Sequence, residues 1–534
     1  MRTAVQQAER RMPVTVRESL TGSLNATRSV PAPVGGWNAR DALAEMKSTD
    51  AIRLTNIFPR PTYCEVRGGA TNWATGMAAL GKSLMPWNGP TGSNKLFSGT
   101  SSGVYNVTAS GAVGAAETVT CTNGKLQHVN FAVASGAEYL IAANGTDKIL
   151  YYDGTTWTNV DGGTVPAITG VTTTNIIHVN SFKQRLFFIE KSKLSFWYLP
   201  VSSLGGAAVE FPMNQIFSRG GFVMAMGTWT IDSGTGSDDL AVFVTSEGEA
   251  AVFQGDNPGS AAAWKLVGVF FVGRPIGRRC FTKLGGDMIL LIEGGAYPLS
   301  QALLTAAIDR QKAMTNKIEQ AFTTAARLFQ SVFGWDATVY PGQSAVIINV
   351  PNVEGGLHYQ YVMNTINKSW CQFSGWDAEC FAVFNGELYF CRSGSNGTAK
   401  AWTGPSDFGA NIVTDGKQAF NYFGSDDQKL LKLVRPNLML TGPVSFLIGA
   451  DADFNDSQPM GVAAYTVGAS ALWDVAIWDV DVWSTDFILQ KDWKTAAAVP
   501  GFCFALLLRV ATNQVGIQWA STDFVFERGV GGVT

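Results

Sequence analysis

Residues 138–154, EYLIAANGTDKILYYDG, indicate the fold class of this chain. They contain an apolar segment, a polar turn with one glycine, and a second apolar segment. Two apolar runs that are separated by a short, glycine-containing turn are typical of a β-hairpin. The stretch therefore predicts two neighbouring antiparallel strands joined by a tight turn.

The same hairpin pattern recurs from about residue 90 to residue 410. It is found in KLFSGTSSGVYNV (95–107), QRLFFIEKSKLSFWYL (184–199), DDLAVFVTSEGEAAVFQG (238–255) and ELYFCRSGSNGTAKAW (387–402). Successive units have apolar anchors 42 to 57 residues apart, at Leu96, Leu140, Leu186, Leu240, Ile289, Val346 and Leu388. Hairpins that repeat at this spacing predict a β-propeller with one small antiparallel sheet per blade. We expect about seven blades within residues 91–414, although six or eight also fit.

The composition agrees with an all-β protein. Charged residues make up 15% of the 534 residues, whereas 58 residues are Gly and 11% are aromatic. Few charges, many turn-forming residues and many aromatics favour short strands joined by tight turns. The same composition excludes a disordered chain and a coiled coil. A net charge of −3 argues against a protein that coats nucleic acid.

Three absences bear on location and chemistry. No apolar run approaches the roughly 18 residues that a transmembrane helix requires. The N-terminal stretch MRTAVQQAERRMPVTVRE (1–18) lacks the apolar segment of a secretory signal. The seven cysteines are scattered, without a C-x-x-C pair. We therefore expect synthesis in the cytosol, buried free thiols, and neither a metal nor a cofactor.

Three further segments flank the repeat. Residues 1–30 are a basic arm with four candidate partner-docking residues, Arg2, Arg10, Arg11 and Arg17; a flexible tail is the alternative. Residues 31–90 are a lead-in segment. Residues 415–534 predict a β-sandwich-like C-terminal domain. Within it, the continuous apolar run FCFALLLRV (502–510) predicts a strand that is buried on both faces.

A helix is predicted inside the repeat, near residues 304–333. The side chains of Ile318, Phe322 and Phe329 share one face at helical spacing. Asn316 can cap this helix, and Glu319 stands at the capping-box position three residues later. We interpret the helix as an insertion between propeller strands whose apolar face packs on a neighbouring subunit.

One segment, from Gly76 to Ser83, matches the phosphate-binding pattern G-x-x-x-x-G-K-[ST]. The chemistry of this pattern requires a helix after the loop, so that backbone N–H groups face the phosphates. Pro86 and Pro90 leave room for hardly one helical turn. We therefore expect no nucleotide site, and we expect the change Lys82→Ala to be tolerated.

Two other short motifs favour structural interpretations. The G-x-S-x-G match at residues 99–103 joins two strands of a hairpin, whereas a nucleophile elbow requires a strand-to-helix turn. The histidines that could serve as its base are few, namely His128, His178 and His358. Residues 153–157, DGTTW, are similar to the Asp box of sialidases, but a hairpin turn with a packed tryptophan explains them more simply.

A short basic loop, GRPIGRRC (273–280), contains Arg274, Arg278 and Arg279. Such a loop is able to contact phosphate or an acidic partner. A solvated loop is the interpretation that we favour. No motif in the chain is a strong catalytic or metal-binding signal.

Four segments resemble one protein family. They are PAPVGGWNARDALAEMKSTDAIRLTNIFPRPTYCEVRGG (31–69), NKIEQAFTTAARLFQSVFGWDATVYPGQSAVIINVP (316–351), YVMNTINKSWCQFSGWDAECFAVFNGELYFC (361–391) and FNYFGSDDQKLLKLVRPNL (420–438). In overall pattern they are similar to the tail nozzle proteins, also called tail tubular protein B, of short-tailed bacteriophages. The resemblance implies a structural protein of the virion tail, made in the host cytoplasm, and not an enzyme. It also implies a homohexameric ring below the portal and adaptor proteins, which carries tail fibres and through which double-stranded DNA leaves.

Two other functions stay open. The first is a glycan-binding or glycan-cleaving β-propeller that acts as a host-receptor module. The second is a cytosolic propeller scaffold that binds protein partners. The near-neutral charge fits a DNA channel, because each Lys or Arg contact with phosphate would add affinity and slow passage. Activity against host surface glycans would favour the first alternative, and a stable monomer would favour the second.

Overall fold

The computed structural model describes residues 25–232, 237–300, 310–457 and 488–528. In these ranges the protein is nearly all β, as predicted, with one α-helix, α1 (Glu319–Phe329). Short 3₁₀ turns occur at Pro90–Gly92, Thr173–Asn175, Arg310–Lys312, Asn316–Ile318 and Pro341–Gln343. None of the helices in these ranges is long and apolar enough to cross a membrane.

Twenty-four strands lie in the described chain between residues 25 and 271. The first six are β1 (Asn25–Pro31), β2 (Gly36–Trp37), β3 (Asp50–Thr55), β4 (Ile57–Pro59), β5 (Cys64–Val66) and β6 (Ala70–Thr75). The next eighteen are β7 (Gly81–Trp87), β8 (Lys95–Thr100), β9 (Gly103–Asn106), β10 (Gly111–Ala112), β11 (Gln127–Ala132), β12 (Glu138–Ala143), β13 (Ile149–Tyr152), β14 (Trp157–Val160), β15 (Ile168–Thr169), β16 (Ile176–Phe182), β17 (Arg185–Glu190), β18 (Ser195–Tyr198), β19 (Gly206–Ala207), β20 (Val209–Pro212), β21 (Val223–Asp232), β22 (Ser237–Thr245), β23 (Glu249–Gly255) and β24 (Trp264–Phe271).

The remaining strands follow in two groups. Those up to residue 401 are β25 (Phe281–Leu284), β26 (Asp287–Ile292), β27 (Gly295–Pro298), β28 (Asp336–Tyr340), β29 (Ala345–Pro351), β30 (His358–Asn364), β31 (Trp370–Ser374), β32 (Ala378–Phe384), β33 (Glu387–Arg392) and β34 (Gly397–Ala401). The C-terminal ones are β35 (Ser406–Asp407), β36 (Ala410–Val413), β37 (Asp415–Gln418), β38 (Lys429–Leu440), β39 (Phe446–Ala452), β40 (Ile488–Gln490), β41 (Lys494–Gly501), β42 (Phe504–Thr512) and β43 (Ile517–Arg528).

Five small antiparallel sheets follow one another along the chain. They consist of β7–β9, of β11–β14, of β16, β17, β18 and β20, of β21–β24, and of β25–β27. Within each sheet a strand pairs with the next one of that sheet, which makes every sheet a meander. Sheets of three or four strands that repeat in this way form the propeller-like arrangement that the hairpin spacing predicts.

The number of separate sheets differs from the predicted count of about seven blades. Two further meanders, β28–β31 and β32–β34, belong to a sixteen-stranded sheet. Their edge strands have partners from the N-terminal part of the chain, because β31 pairs with β3 and β34 pairs with β6. These pairings extend the two meanders into one larger sheet, so among the described residues five meanders remain as separate sheets.

The small sheets stack face to face, which explains why their strands are apolar on both faces. In β17, Leu186 and Phe188 pack in one cluster with Ile141 of the preceding sheet. Between them, Phe187 packs in another cluster with Phe243 of the following sheet. Because successive side chains point to opposite faces of a strand, a sheet between two others needs an unbroken apolar run.

The first strands of successive sheets lie next to one another. β32 contacts β7, β11 contacts β16, β16 contacts β21, β25 contacts β28, and β28 contacts β32. These strands are far apart in the sequence, but their contacts bring their side chains to a common central region. The polar residues on these inner strands therefore share one environment.

The C-terminal strands share sheets with the N-terminal ones. β43 pairs with β1, β5 and β38, while β42 pairs with β36, β37 and β39. The predicted buried strand within residues 502–510 is confirmed, since β42 is buried at every residue except Arg509. Because these pairings unite both ends of the chain, a separate β-sandwich-like domain is not confirmed. The boundaries at residues 30, 90 and 414 stay predictions.

Candidate functional site

Helix α1 contacts strands β27 and β29. Ile318 and Phe322 are fully buried there, and the ring centroids of Phe322 and Trp335 lie 5.8 Å apart. This burial corrects the prediction that Ile318 and Phe322 contact a neighbouring subunit, because the chain's own core already encloses both side chains. Phe329 is half-buried at the edge of the same cluster. A subunit contact through Phe329 stays a prediction.

The helix begins without the predicted cap. Asn316 lies in the 3₁₀ turn that precedes Glu319, and no side chain caps the first turn of α1. The side-chain oxygen of Asn316 accepts a hydrogen bond from Arg40 at 2.7 Å, and its Nδ2 donates to the carbonyl of Gln311. The capping prediction was wrong because these two partners occupy the amide. Arg40 thereby ties the lead-in segment to the helix.

The predicted docking residues Arg2, Arg10, Arg11 and Arg17 lie outside the described residues, so their role stays a prediction. The described chain begins at Asn25, and β1 pairs along its whole length with β43. Residues 25–31 are therefore one strand of a sheet, which attaches the arm to the body of the protein.

The segment that matches the phosphate-loop pattern continues into a strand. Lys82 and Ser83 belong to β7, and the hydroxyl of Ser83 donates to the carbonyl of Gly124 at 2.7 Å. The ammonium of Lys82 lies 3.0 Å from the carboxylate of Glu379, whose side chain is fully buried. A strand provides no helix N-terminus for a phosphate. The lysine that the pattern needs is therefore used in an ion pair.

Lys82, His358 and Glu379 form a buried charged cluster, which connects β7, β30 and β32. His358 donates from Nε2 to Glu379 Oε1 at 3.4 Å, and the backbone N–H of Gly355 donates to the same oxygen at 2.9 Å. Burial by itself would raise the pKa of Glu379. The hydrogen bond from His358 and the charge of Lys82 outweigh burial and lower the pKa of Glu379 to about 2. The cluster is therefore a charged cross-link between three meanders.

The two other short motifs are hairpin turns, as predicted. The G-x-S-x-G match lies between β8 and β9, where the hydroxyl of Thr100 donates to the carbonyl of Gly103. Asp153 accepts hydrogen bonds from the backbone N–H of Thr156 and its neighbour in the turn between β13 and β14, and Trp157 is buried. In the described ranges, no group of three His, Cys, Asp or Glu side chains is arranged to hold a metal ion.

Three of the four segments that carry the family resemblance meet at one junction. Trp37 packs on Tyr361, with ring centroids 5.6 Å apart. Lys317 donates from Nζ to Asp50 at 2.7 Å, and also to the carbonyl of Gly35 at 2.6 Å. These contacts join the lead-in segment, the start of α1 and the β28–β31 meander. Residues that are distant in the sequence are thus joined in one connected part of the structure.

One strand exposes apolar side chains on both of its faces. Four residues of β24 are more than a third exposed, namely Leu266 (45%), Val267 (51%), Val269 (36%) and Phe271 (45%). β24 is the outer strand of its sheet and, among the described residues, pairs only with β23. Exposed apolar side chains on an unpaired strand edge mark a surface for another polypeptide. We call these four residues the β24 surface.

A groove of about 860 Å³ lies beside the β24 surface, between Phe271, the turn at Arg274 and helix α1. The guanidinium of Arg219 lies 3.8 Å over the ring of Phe271. Arg274 pairs with Glu247 at 2.8 Å. The groove therefore places polar and charged groups around an apolar strand, which is the arrangement of a protein interface and its rim.

No family model and no curated protein matches this chain. Several solved structures are similar to part of it. The structure of BBS1N in complex with ARL6DN is 11% identical, with a TM-score of 0.38, and covers 64% of this chain and 100% of that chain. The β-propeller domain of Myceliophteria thermophila Cps50 (Swd1) is 11% identical, with a TM-score of 0.38, and covers 62% and 99%. YCF48 bound to D1 peptide is 11% identical, with a TM-score of 0.32, and covers 67% and 99%. The propeller-like arrangement of this chain therefore rests on its own strand pairing.

Proposed function

We propose that this protein is a structural, non-enzymatic subunit of the tail nozzle of a short-tailed bacteriophage, made in the host cytoplasm and located in the virion tail. Six copies would form a ring below the portal and adaptor proteins, hold tail fibres and leave a channel for double-stranded DNA. The β24 surface is the observation that carries the proposal. A propeller closes on itself and has no need of an exposed apolar strand.

The β24 surface supplies a driving force for assembly. Complete burial of one Val, Leu or Phe side chain contributes about 1.5–3 kcal/mol relative to full exposure. The free edge of β24 also offers backbone N–H and C=O groups to an incoming chain. If this surface meets a different surface of the next copy, the contact repeats head to tail and closes into a ring or continues as a filament. Closure at six is what the family resemblance implies.

The junction around Trp37 and Tyr361 also supports the proposal. The family likeness lies in segments that are distant in the sequence, and the contacts of Asp50 with Lys317 join two of them. If a family shares a sequence pattern because of its structure, we expect that pattern at residues that hold such a junction together. The docking role of Arg2, Arg10, Arg11 and Arg17 toward the adaptor belongs to the same proposal, and the pairing of β1 with β43 would fix the end of their arm.

Two finer features of the architecture are part of the proposal. We count β28–β31, and β32–β34 together with β6, as two further blades, which gives seven. The contact of β32 with β7 supports this count, because it connects the last meander to the first.

For the C-terminal strands we infer a sandwich-like packing. The ring of Phe423 supports it, since its centroid lies 4.9 Å from Phe526 and 6.3 Å from Phe504, on two different sheets.

The test is the assembly state of the purified full-length protein, measured by negative-stain microscopy and light scattering. We expect rings of six copies for the wild type. Val267→Asp should leave monomers, because a charge on the β24 surface opposes its burial. The matched control is Val353→Asp, since Val353 is 60% exposed but lies outside the β24 surface. This variant should form the same rings.

The outcomes separate the proposed function from its alternatives. Rings with another copy number would contradict the stoichiometry, and rings of Val267→Asp would contradict the role of the β24 surface. A wild-type monomer that binds or cleaves host surface glycans would support the host-receptor module. A wild-type monomer without glycan binding would support the protein scaffold.

A further inference from the structure

The basic loop before β25 is not the solvated loop that the sequence favours. Arg278 and Arg279 are half-buried, and both line a cavity of about 200 Å³. Arg274, in the same loop, lies on the groove beside the β24 surface instead. The loop therefore directs two of its three guanidinium groups to the central region of the protein, where the inner strands meet.

The walls of this cavity come from distant parts of the chain. β11 contributes Gln127 and His128, β16 contributes His178, and β28 contributes Asp336. Phe381 of β32 is also part of the lining. Residues of the inner strands thus surround the two arginines. A water molecule takes about 30 Å³. The cavity is therefore large enough for a tetrahedral anion together with several water molecules.

Both guanidinium groups donate hydrogen bonds to backbone carbonyls, and each has further N–H groups that could donate to a ligand. Arg279 donates from Nη2 to the carbonyls of Lys82 and Leu126, each at 3.2 Å. Arg278 donates from Nη1 to the carbonyl of Asn144 at 3.4 Å. Within the described ranges, no carboxylate lies within 4.0 Å of either group. Two cations are therefore fixed at one cavity without a contacting counter-ion.

Two residues that line the cavity each have one buried polar atom without a protein partner among the described residues. Among the described residues, neither Nε2 of Gln127 nor Nδ1 of His178 has a hydrogen-bond partner, although Gln127 is only 8% exposed. His178 uses its other nitrogen, because Nε2–H donates to the carbonyl of Met226 at 2.9 Å. Burial lowers the pKa of His178 to about 4, so the neutral ring presents Nδ1 as an acceptor. A buried donor or acceptor without a hydrogen-bond partner destabilises the folded protein. A ligand that forms the missing hydrogen bond would remove this penalty.

The charges at the cavity sum to a positive value. Arg278 and Arg279 contribute two positive charges, and Asp336 contributes at most one negative charge. Burial raises the pKa of Asp336, although Arg279 and backbone N–H groups oppose this shift. Burial also raises the cost of holding Arg278 as a cation, and it lowers the pKa of Arg278. A bound anion would relieve that cost.

We propose that this cavity binds one small phosphate-type oxyanion, held by Arg278, Arg279 and Gln127. The guanidinium forks and the amide Nε2–H donate to its oxygens, which is the geometry that arginine and amide donors provide for phosphate. Nδ1 of His178 accepts the hydrogen of a P–O–H group. This last contact discriminates between anions, because sulfate has no such hydrogen at neutral pH. The proposal goes beyond the nozzle function and does not depend on it.

The test is calorimetric titration of the full-length protein with inorganic phosphate at pH 7, repeated with sulfate. We expect phosphate to bind with a dissociation constant below roughly 10 mM. Sulfate should bind about fivefold more weakly, because it cannot donate the hydrogen bond to Nδ1 of His178. Arg278→Gln should weaken phosphate binding by about tenfold or more, because it removes a charged donor. Arg274→Gln is the matched control, since it removes the same charge from the same loop outside the cavity, and it should leave the affinity unchanged.

A second variant covers the case in which Arg278→Gln fails to fold, as judged by circular dichroism. Gln127→Met preserves the size of the side chain and the charge of the cavity but removes the amide donor, and it should weaken phosphate binding several-fold. Absence of phosphate binding by the wild type would overturn the proposal. Equal binding of phosphate and sulfate, or equal losses in Arg274→Gln and in the cavity variants, would also overturn it, because either result indicates general charge attraction.

Discussion

The ammonium of Lys82 lies 3.0 Å from the carboxylate of Glu379, and this ion pair joins the first small sheet to the last meander. His358 contacts the same carboxylate from a third meander. Without Lys82, Glu379 would keep only the hydrogen bonds from His358 and from the backbone N–H of Gly355, with no lysine cation to offset its buried charge. The ion pair between Lys82 and Glu379 therefore stabilises the folded protein, which the match of Lys82 to a phosphate-loop pattern does not reveal.

Lys82→Ala should lower the free energy of unfolding by about 3 kcal/mol, because it leaves Glu379 buried and charged. From the sequence we expect this change to be tolerated, because the phosphate-loop motif is rejected, and the ion pair with Glu379 replaces that expectation with a loss of stability. Lys183→Ala is the control, since Lys183 pairs with Asp239 at 2.7 Å but is 37% exposed, and it should cost less than about 1 kcal/mol. Urea denaturation of both variants measures the difference. Similar losses in the two variants would contradict the structural role of Lys82.

The contribution of Glu379 should depend on pH in the acid range. Its pKa is about 2 in the folded protein, against an ordinary value of 4.5. A lowered pKa stabilises the folded state above pH 4.5, and this stabilisation is lost as the pH falls through 2. The stability difference between the wild type and Glu379→Gln should therefore shrink by a few kcal/mol (roughly 3) from pH 5 to pH 2. A difference that is constant over this range, measured by denaturation at each pH, would refute the charged state of Glu379.

Gly36 should not tolerate a side chain. Its φ is +81°, and an added Cβ would lie 2.6 Å from the carbonyl oxygen of Trp370. Gly36→Ala should lower the free energy of unfolding by roughly 3 kcal/mol, from the left-handed backbone and the clash together. Gly386→Ala is a matched control, because Gly386 has the same φ of +81° and no atom within 4 Å of the added Cβ. It should cost only about 1 kcal/mol. Equal losses of unfolding free energy in the two variants would contradict this expectation, because they would show that the backbone at Trp370 moves aside for the added methyl group.

The thiols should be unreactive in the folded protein. All seven cysteines are buried and free, which confirms the prediction from their scattered positions. Burial raises the pKa of Cys280 to about 12 and that of Cys121 to about 11, so these two carry little thiolate at neutral pH, and burial shields all seven sulfurs from a reagent. A thiol reagent such as Ellman's should label no cysteine within minutes at pH 8 and should label all seven in denaturant. Rapid reaction of any cysteine before denaturation would contradict this expectation.

The propeller-like part could be predicted from the sequence because its information is local. Each hairpin has its own turn and its own apolar run, as in β12 and β13 around Gly145. The pairing of β3 with β31 and of β6 with β34 could not be predicted, because no local pattern identifies a partner strand that lies hundreds of residues away. These two pairings are also the reason why the last two meanders are not separate sheets.

The candidate sites show the same limit. The flanking prolines were sufficient to reject a phosphate loop at Lys82, but they did not identify its partner. A signal was present in the sequence, because Glu379 stands in the run AECFAVF (378–384), and a charge inside an apolar strand indicates a buried partner. The inward direction of Arg278 and Arg279 had no such signal. It depends on carbonyls that three other segments bring to the loop.

The pairing of β6 with β34 has a consequence for synthesis on the ribosome. Thr75 pairs with Gly397, so β6 leaves the exit tunnel long before its partner has been translated. Its backbone edge must stay unpaired during that interval, which is the condition in which nascent chains aggregate or recruit chaperones. A premature stop codon between residues 75 and 397 would thus release a fragment in which β6 lacks its β34 partner, and such a fragment should be degraded instead of retaining partial function.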